Sequence, residues 1–251
     1  LFQATGTAPR SAVFMHVNDT FGTAMTGGIK ATLPKLDYLP FKVVEEIGYD
    51  PAARDLSVEV AKAKASGADF VMLVCRLNDA ILLVREMVKQ RYTPMGVVSP
   101  GSPGMYEQAF YESLGKYSEY CISNVPWYDP KAKMTQLVDG AMKKQFPKEK
   151  LLFHALNVGC TFEAMMVVGD AFKRAGSADG SALANALRTT NITDRIMLGG
   201  PIKFSAEGQN EEIGSACIQN LGGKPTVVLP AASAEHKPVF PMPGWGQVMK
   251  S

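Results

Sequence analysis

Ser11-Ala12-Val13-Phe14-Met15-His16-Val17-Asn18-Asp19-Thr20-Phe21-Gly22 is the stretch whose reading decides the fold. An apolar run of strand length stops abruptly in a polar turn, and Met25, Ile29 and Leu33 then follow at helical spacing. Two later apolar runs stop in the same way, at Cys75-Arg76 and at Ser99-Pro100-Gly101. In an open α/β sheet, ligands bind in the crevice beyond the carboxyl ends of the strands. The three ends supply an aromatic, a cation and a Gly/Pro/Ser loop, a combination that suits a small anion and holds no reaction machinery.

The alternation continues outward from this stretch. Strands are expected at 12–17, 41–47, 70–75, 95–98 and 120–123, and helices at 23–36, 55–66, 80–90 and 105–114. Asp55 can cap the second helix and Gly67 ends it. The run 70–75 is apolar throughout, as in a strand buried on both faces. Repeated βα units with short connections predict an α/β, doubly wound parallel sheet.

The character changes at Val125-Pro126-Trp127-Tyr128-Asp129-Pro130, where two prolines force an extended path. This reads as a crossover between lobes. Helices follow at 131–146, 158–175 and 181–188. The middle one carries Phe162, Met165, Met166, Val167, Val168, Ala171 and Phe172, apolar on nearly every side, which predicts deep burial. A short strand at 202–204, a turn at 205–208 and a hairpin-like pair at 215–219 and 226–229 come next, then a Pro/Gly-rich strap at 238–246. The helices from 131 to 188 need a sheet to pack on, and the strands before them already have helices of their own.

Composition narrows the function. Of 251 residues, 46% are hydrophobic and 20% charged, as in a globular protein, and the net charge is only +2. Without a Lys/Arg run or basic helix face, nucleic acid is not expected as a partner. Contiguous apolar runs such as 80–84 are too short to span a bilayer. Cys75, Cys121, Cys160 and Cys217 form no Cys-x-x-Cys pair and read as buried free thiols, and three scattered histidines give no metal site. His16 lies inside a buried strand and reads as a satisfied core histidine. No cofactor is expected: no Gly-x-Gly-x-x-Gly follows a strand, Gly222-Gly223-Lys224-Pro225 is not a phosphate loop, and no nucleophile elbow is present. These absences argue against an enzyme.

Several segments together resemble the type I periplasmic binding proteins of the Leu/Ile/Val family, the solute receptors of ABC importers. They are Val17-Asn18-Asp19-Thr20-Phe21-Gly22, Gly67-Ala68-Asp69-Phe70-Val71, Gly169 to Gly176, the Gly199 to Asn210 segment with its Phe204 and Gly208-Gln209-Asn210, and Pro241-Met242-Pro243-Gly244-Trp245. The resemblance implies two Rossmann-like lobes joined by hinge crossovers near 123–128, 189–194 and the strap. It assigns 11–124 to ligand-binding lobe two, 125–190 to helices of lobe one, 191–230 to return strands and 231–251 to the strap. Lobe one's sheet, including a Ser/Thr loop that would grip a ligand carboxylate, is expected to precede Leu1, so lobe one is read as incomplete in this chain. The resemblance also implies a periplasmic or extracytoplasmic protein whose signal peptide has been removed, a membrane permease as partner, a monomer, and a ligand held between the lobes by hinge closure.

The ligand contacts are carried over residue by residue. Phe21 stands where the family has a ligand-packing Tyr before Gly; the other reading is a core aromatic. Arg76 stands at the end of the third strand, where the family often has Tyr. Its expected role is to offer a guanidinium, free of protein carboxylates, to the ligand; the alternative is a structural bridge to Asp19 or Asp79. The Ser99, Pro100, Gly101 and Ser102 loop lacks the acid that amino-acid binders use for an ammonium. Together with Arg76 it points to a small organic carboxylate, an aromatic or oxo/hydroxy acid, rather than an amino acid. Asn18 and, from the other lobe, Asn157 or Val158 complete the set. A ligand-sensing regulator or receptor module on the same fold is the competing function.

Overall fold

The computed structural model describes residues 1–249, and these divide into two compact units. Of the described residues, the first comprises 1–125 and 217–249, and the second 126–216.

In the first unit a short α1 (Phe2–Thr5) precedes β1 (Ser11–Val17), α2 (Thr20–Thr32), β2 (Lys42–Tyr49), α3 (Ser57–Ala65), β3 (Phe70–Val74) and α4 (Leu77–Lys89). β4 (Val97–Ser99), α5 (Gln108–Leu114) and β5 (Ile122–Pro126) complete the first pass. β1 pairs in parallel with β2 and β3, β3 with β4, and β4 with β5. The sheet order is β2-β1-β3-β4-β5-β6-β7, where β6 (Ser215–Asn220) and β7 (Pro225–Leu229) form an antiparallel hairpin. The doubly wound expectation is met. The alternation of β1 sends Val13, Met15 and Val17 into one apolar layer with α3, α4 and α5, and Ala12 and Phe14 into another with α2. A central parallel strand is buried on both sides for this reason. The strap packs on this unit: Met242 N–H donates to the Met95 carbonyl at 2.7 Å, and Trp245 Nε1 donates to the Tyr92 carbonyl at 2.7 Å.

The second unit contains α6 (Lys133–Gln145), α7 (Leu151–Ala175) and α8 (Gly180–Arg188). Isolated bridges Tyr128 to Met197, Ile192 to Ile202 and Gly199 to Ile213 hold its irregular segments. Residues 191–216 thus cluster with this unit, where the sequence reading grouped 191–230 as a return. The chain passes between units at 125/126 and 216/217, and residues 189–194, expected as a crossover, lie inside the second unit.

Deep burial of α7 is corrected. Its buried residues are Leu151, Ala155, Gly159, Glu163, Val167 and Ala171, a single stripe at four-residue spacing, whereas Met165 is 67% and Phe172 52% exposed. By length and composition α7 could cross a bilayer, which a search for contiguous runs overlooks. Its midpoint, however, carries Glu163 in a buried two-pronged pair with Arg195, at 3.0 Å to Nε and 2.7 Å to Nη2. Glu163 Oε1 also accepts the N–H groups of Ile196 and Met197, at 3.0 and 2.7 Å, and Arg195 Nη1 donates to the Gly200 carbonyl at 2.7 Å. The network fixes residues 195–200 on α7.

Candidate functional site at the strand ends

The chain's first strand, β1, is flanked by β2 on one side and β3 on the other, so the strand order reverses between β1 and β3. At such a switch point the loops leaving the two strands diverge and open a crevice. Asn18 to Phe21 leave β1 here and Arg76 leaves β3.

Asp19 is the N-cap of α2, and its Oδ1 accepts the Gly22 N–H at 2.8 Å. A carboxylate at this place satisfies an orphan donor and meets the positive end of the helix. Arg76 precedes α4, and its backbone N–H donates to Asp79 Oδ1 at 2.9 Å. The Tyr49 hydroxyl, 2.6 Å from Asp79 Oδ2 and 3.0 Å from the Val74 carbonyl, fixes that acid from β2. Burial, then the neighbouring Cys75 and Asp79, push the Tyr49 phenol far above its ordinary pKa, so it stays protonated. Asp79 is therefore spent on the backbone and on Tyr49, and the guanidinium turns the other way.

Arg76 Nη1 donates to Asp19 Oδ2, and the guanidinium carbon lies 4.8 Å from the centroid of the Phe21 ring. The expectation of a guanidinium free of protein carboxylates is corrected: Arg76 pairs with Asp19. The cause is geometric, since the caps of α2 and α4 leave neighbouring parallel strands at the same level. Arg76 nevertheless remains 47% exposed and Asp19 23%. The Gly22 N–H, and after it the hydrogen bond and charge of Arg76, hold Asp19 below the ordinary carboxylate range.

The β4 loop divides. Ser99 and Ser102 are fully buried, and their hydroxyls lie 2.7 Å apart. Ser102 Oγ accepts the Cys75 N–H at 3.1 Å and lies 3.3 Å from the Leu73 carbonyl; Ser99 Oγ accepts the Ser102 N–H at 2.9 Å. The hydroxyls expected to face a ligand instead staple the end of β4 to the end of β3, because buried donors there need partners. Pro100 and Gly101 stay partly exposed. Gly101 has φ +125°, and a Cβ on it would come 3.1 Å from Met25 Cε of α2. Gly104 has φ +108°, and a Cβ there would come 2.7 Å from the Arg76 carbonyl carbon. The loop therefore lies directly against the backbone that carries the guanidinium.

Asn18 is exposed, with its amide over Gly48 of β2: a Cβ on Gly48 would come 2.5 Å from Asn18 Oδ1. Asn157 is exposed on α7, in the second unit, and Val158 is partly buried there. The strand ends of the first unit thus bring together Asn18, Phe21, Arg76, Pro100 and Gly101. They also bring in Asp19 and Met25. Asp19 carries a readable signal, an Asp directly before a helix start; Met25 carries none beyond its helical spacing.

A cavity of about 650 Å3 lies elsewhere, at the open edge of the sheet between α2 and β2, lined by Phe14, Leu33, Phe41 and Val43 among others. No expected site residue lines it. Among the described residues no three His, Cys, Asp or Glu side chains converge as a metal would require. Cys75 and Cys121 are buried thiols, as expected; Cys160 is exposed on α7, which corrects its expected burial.

A sheet of order 2-1-3-4-5 with side chains gathered at the β1/β3 switch is an anion-compatible crevice on a doubly wound frame. A family model described as periplasmic binding protein matches residues 2–218. The chain belongs to the periplasmic binding protein family. Its fold is the type I fold of that family, one of extracytoplasmic solute-binding proteins, and its place is periplasmic or extracytoplasmic. Among curated proteins, Leu/Ile/Val-binding protein homolog 8 of Brucella melitensis is 27% identical over 218 residues, which are 79% of this chain and 50% of that protein. This periplasmic binding protein chain spans about half the length of the curated relatives it matches. The solved leucine binding protein LivK of Thermotoga maritima superposes with a TM-score of 0.73 at 16% identity, over 90% of this chain and 61% of that one. A periplasmic binding protein type 1 of Bordetella pertussis gives 0.72 at 16% identity, over 95% and 63%.

Proposed function

We propose that this protein is a solute receptor of an ABC importer that binds a small organic carboxylate at the carboxyl ends of β1, β3 and β4. Its partner is then the importer's membrane permease, and it acts as a monomer. The observation that carries the reading is the half-exposed Arg76 guanidinium at the switch point, stacked on Phe21. A guanidinium presents donors in a flat fork that matches a carboxylate, and each charge-assisted bond is worth about 1.5–3 kcal/mol. Phe21 offers apolar surface for the rest of an aromatic or oxo/hydroxy acid. Catalysis forms no part of this role.

A second reading has a specific observation behind it. The Asp19 carboxylate beside Arg76 supplies the countercharge for an ammonium that the β4 loop lacks, and relatives carry the name Leu/Ile/Val-binding protein homolog. An amino acid would then lay its two charges across the Asp19–Arg76 pair.

A thermal-shift screen of organic acids against amino acids separates the two, because a ligand raises the melting temperature according to its occupancy of the native state. Stabilisation by acids without an amino group supports the first reading, and stabilisation by leucine alone overturns it in favour of the second. For the acid that stabilises most, calorimetric titration of Arg76→Ala should show affinity lower by about ten-fold or more. Unchanged affinity removes Arg76 as the anion anchor.

A further inference from the structure

Asp19 meets Arg76 through one nitrogen only. Nη1 donates to Asp19 Oδ2, while the other carboxylate oxygen is taken by the Gly22 N–H at 2.8 Å. A guanidinium carries five N–H donors in a planar fork, so the Nε and Nη2 donors of this half-exposed side chain remain for another acceptor. Asp19 cannot swing aside without uncapping α2. Any anion that reaches the remaining donors therefore meets a fixed negative charge across the same guanidinium.

We propose that Asp19 is a specificity-determining residue of the strand-end site: it holds the Arg76 guanidinium in place and limits how much negative charge a ligand there can carry. This rests on the reading of the site as anion-binding. Two unit charges a few ångströms apart in a wet surface site interact by an amount worth about five-fold in binding. A neutral ligand escapes this cost, a monoanion bears it once, and a dianion bears it with a smaller addition from its more distant second charge. Asp79, the other acid beside Arg76, is bonded to the Arg76 backbone N–H and to the Tyr49 hydroxyl and is not aimed at the guanidinium.

The test uses Asp19→Asn, since Asn caps a helix as well as Asp does. Dissociation constants for benzamide, benzoate and isophthalate are measured by calorimetry on the unaltered chain, on Asp19→Asn and on Arg76→Ala. Each ligand is compared only with itself, so size cancels. In Asp19→Asn benzamide should be unchanged, benzoate about five-fold tighter and isophthalate about ten-fold tighter, from the same charge arithmetic with the second carboxylate about twice as far away. In Arg76→Ala both anions should weaken while benzamide does not. A change in Asp19→Asn that is absent, reversed or equal for all three, with Arg76→Ala still weakening the anions, overturns the role of Asp19 and leaves the anion site standing. Anions indifferent to Arg76→Ala, or binding of none of the three to any form, overturns both.

Discussion

Gly22, in the first turn of α2, lies directly against the Val17 carbonyl at the end of β1, so close that a Cβ on Gly22 would overlap that oxygen. The obstacle is backbone, not the tip of a flexible side chain. Gly22→Ala should therefore push α2 away from β1 and lower stability by about 1–3 kcal/mol. Urea denaturation checks this, and an unchanged midpoint would mean that the turn has room to spare.

Ser102 is the next position where a small change is costly. Ser102→Ala removes the acceptor of the Cys75 N–H and leaves a buried donor unpaired, at about 1–3 kcal/mol. Since the hydroxyl faces the protein interior, ligand affinity at temperatures well below unfolding should stay within about two-fold, less than the loss of one hydrogen bond. A large loss of affinity with unchanged stability would return Ser102 to the ligand-contacting set.

How far the sequence carried follows from these same residues. The strands were legible because a parallel strand buried on both faces is an uninterrupted apolar run, and 70–75 is one. The strand-end positions of Phe21, Arg76 and Gly101 followed from where the runs stop. What the runs could not say is which way a polar group turns. Ser99 and Ser102 read alike whether their hydroxyls point into the crevice or into the sheet. Arg76 had Asp79 three residues away and Asp19 at a separation of 57, and the distant one wins because Tyr49 and a backbone N–H already engage the near one. α7 misled for another reason: apolar residues on every side identify a helix that can be buried all round, not the side that packs.

The Glu163–Arg195 pair should behave as a unit. Its side chains are 9% and 5% exposed, and removing one charge leaves the other uncompensated in the interior. Glu163→Gln and Arg195→Met should each cost about 3–5 kcal/mol, and the double replacement less than their sum. Hydrogen exchange at Ile196 and Met197, whose N–H groups bond Glu163, is the local readout: protection there should fall in Glu163→Gln. Retained protection would show that the bridges alone hold the segment.

Thiol chemistry gives a test with a pH sign. Burial pushes the Cys217 thiol up to about 11 and the Cys121 thiol up to about 12, from an ordinary value of 9.0. Both are held neutral in the folded state and ionise more readily once unfolded. Their contribution is therefore complete below about pH 9 and is lost as pH rises toward 11–12. Stability measured from pH 8 to 11 should fall, less so in Cys121→Ser/Cys217→Ser, and an equal slope in that variant would count against these two groups. A maleimide pulse at pH 8 should label Cys160 first, because it alone is exposed.

The sheet of the first unit runs without a break across a long excursion of the chain. Asn220, at the end of β6, donates its N–H to the Cys121 carbonyl and accepts that of Tyr120, just ahead of β5. No strand of the seven is drawn from residues 127–214. Residues 127–214 therefore behave in topological terms as a guest spliced into a host whose strands lie on either side of it. Length changes confined to the guest should therefore leave the strand register of β1 to β4, and with it the placing of Phe21 and Arg76, unaltered.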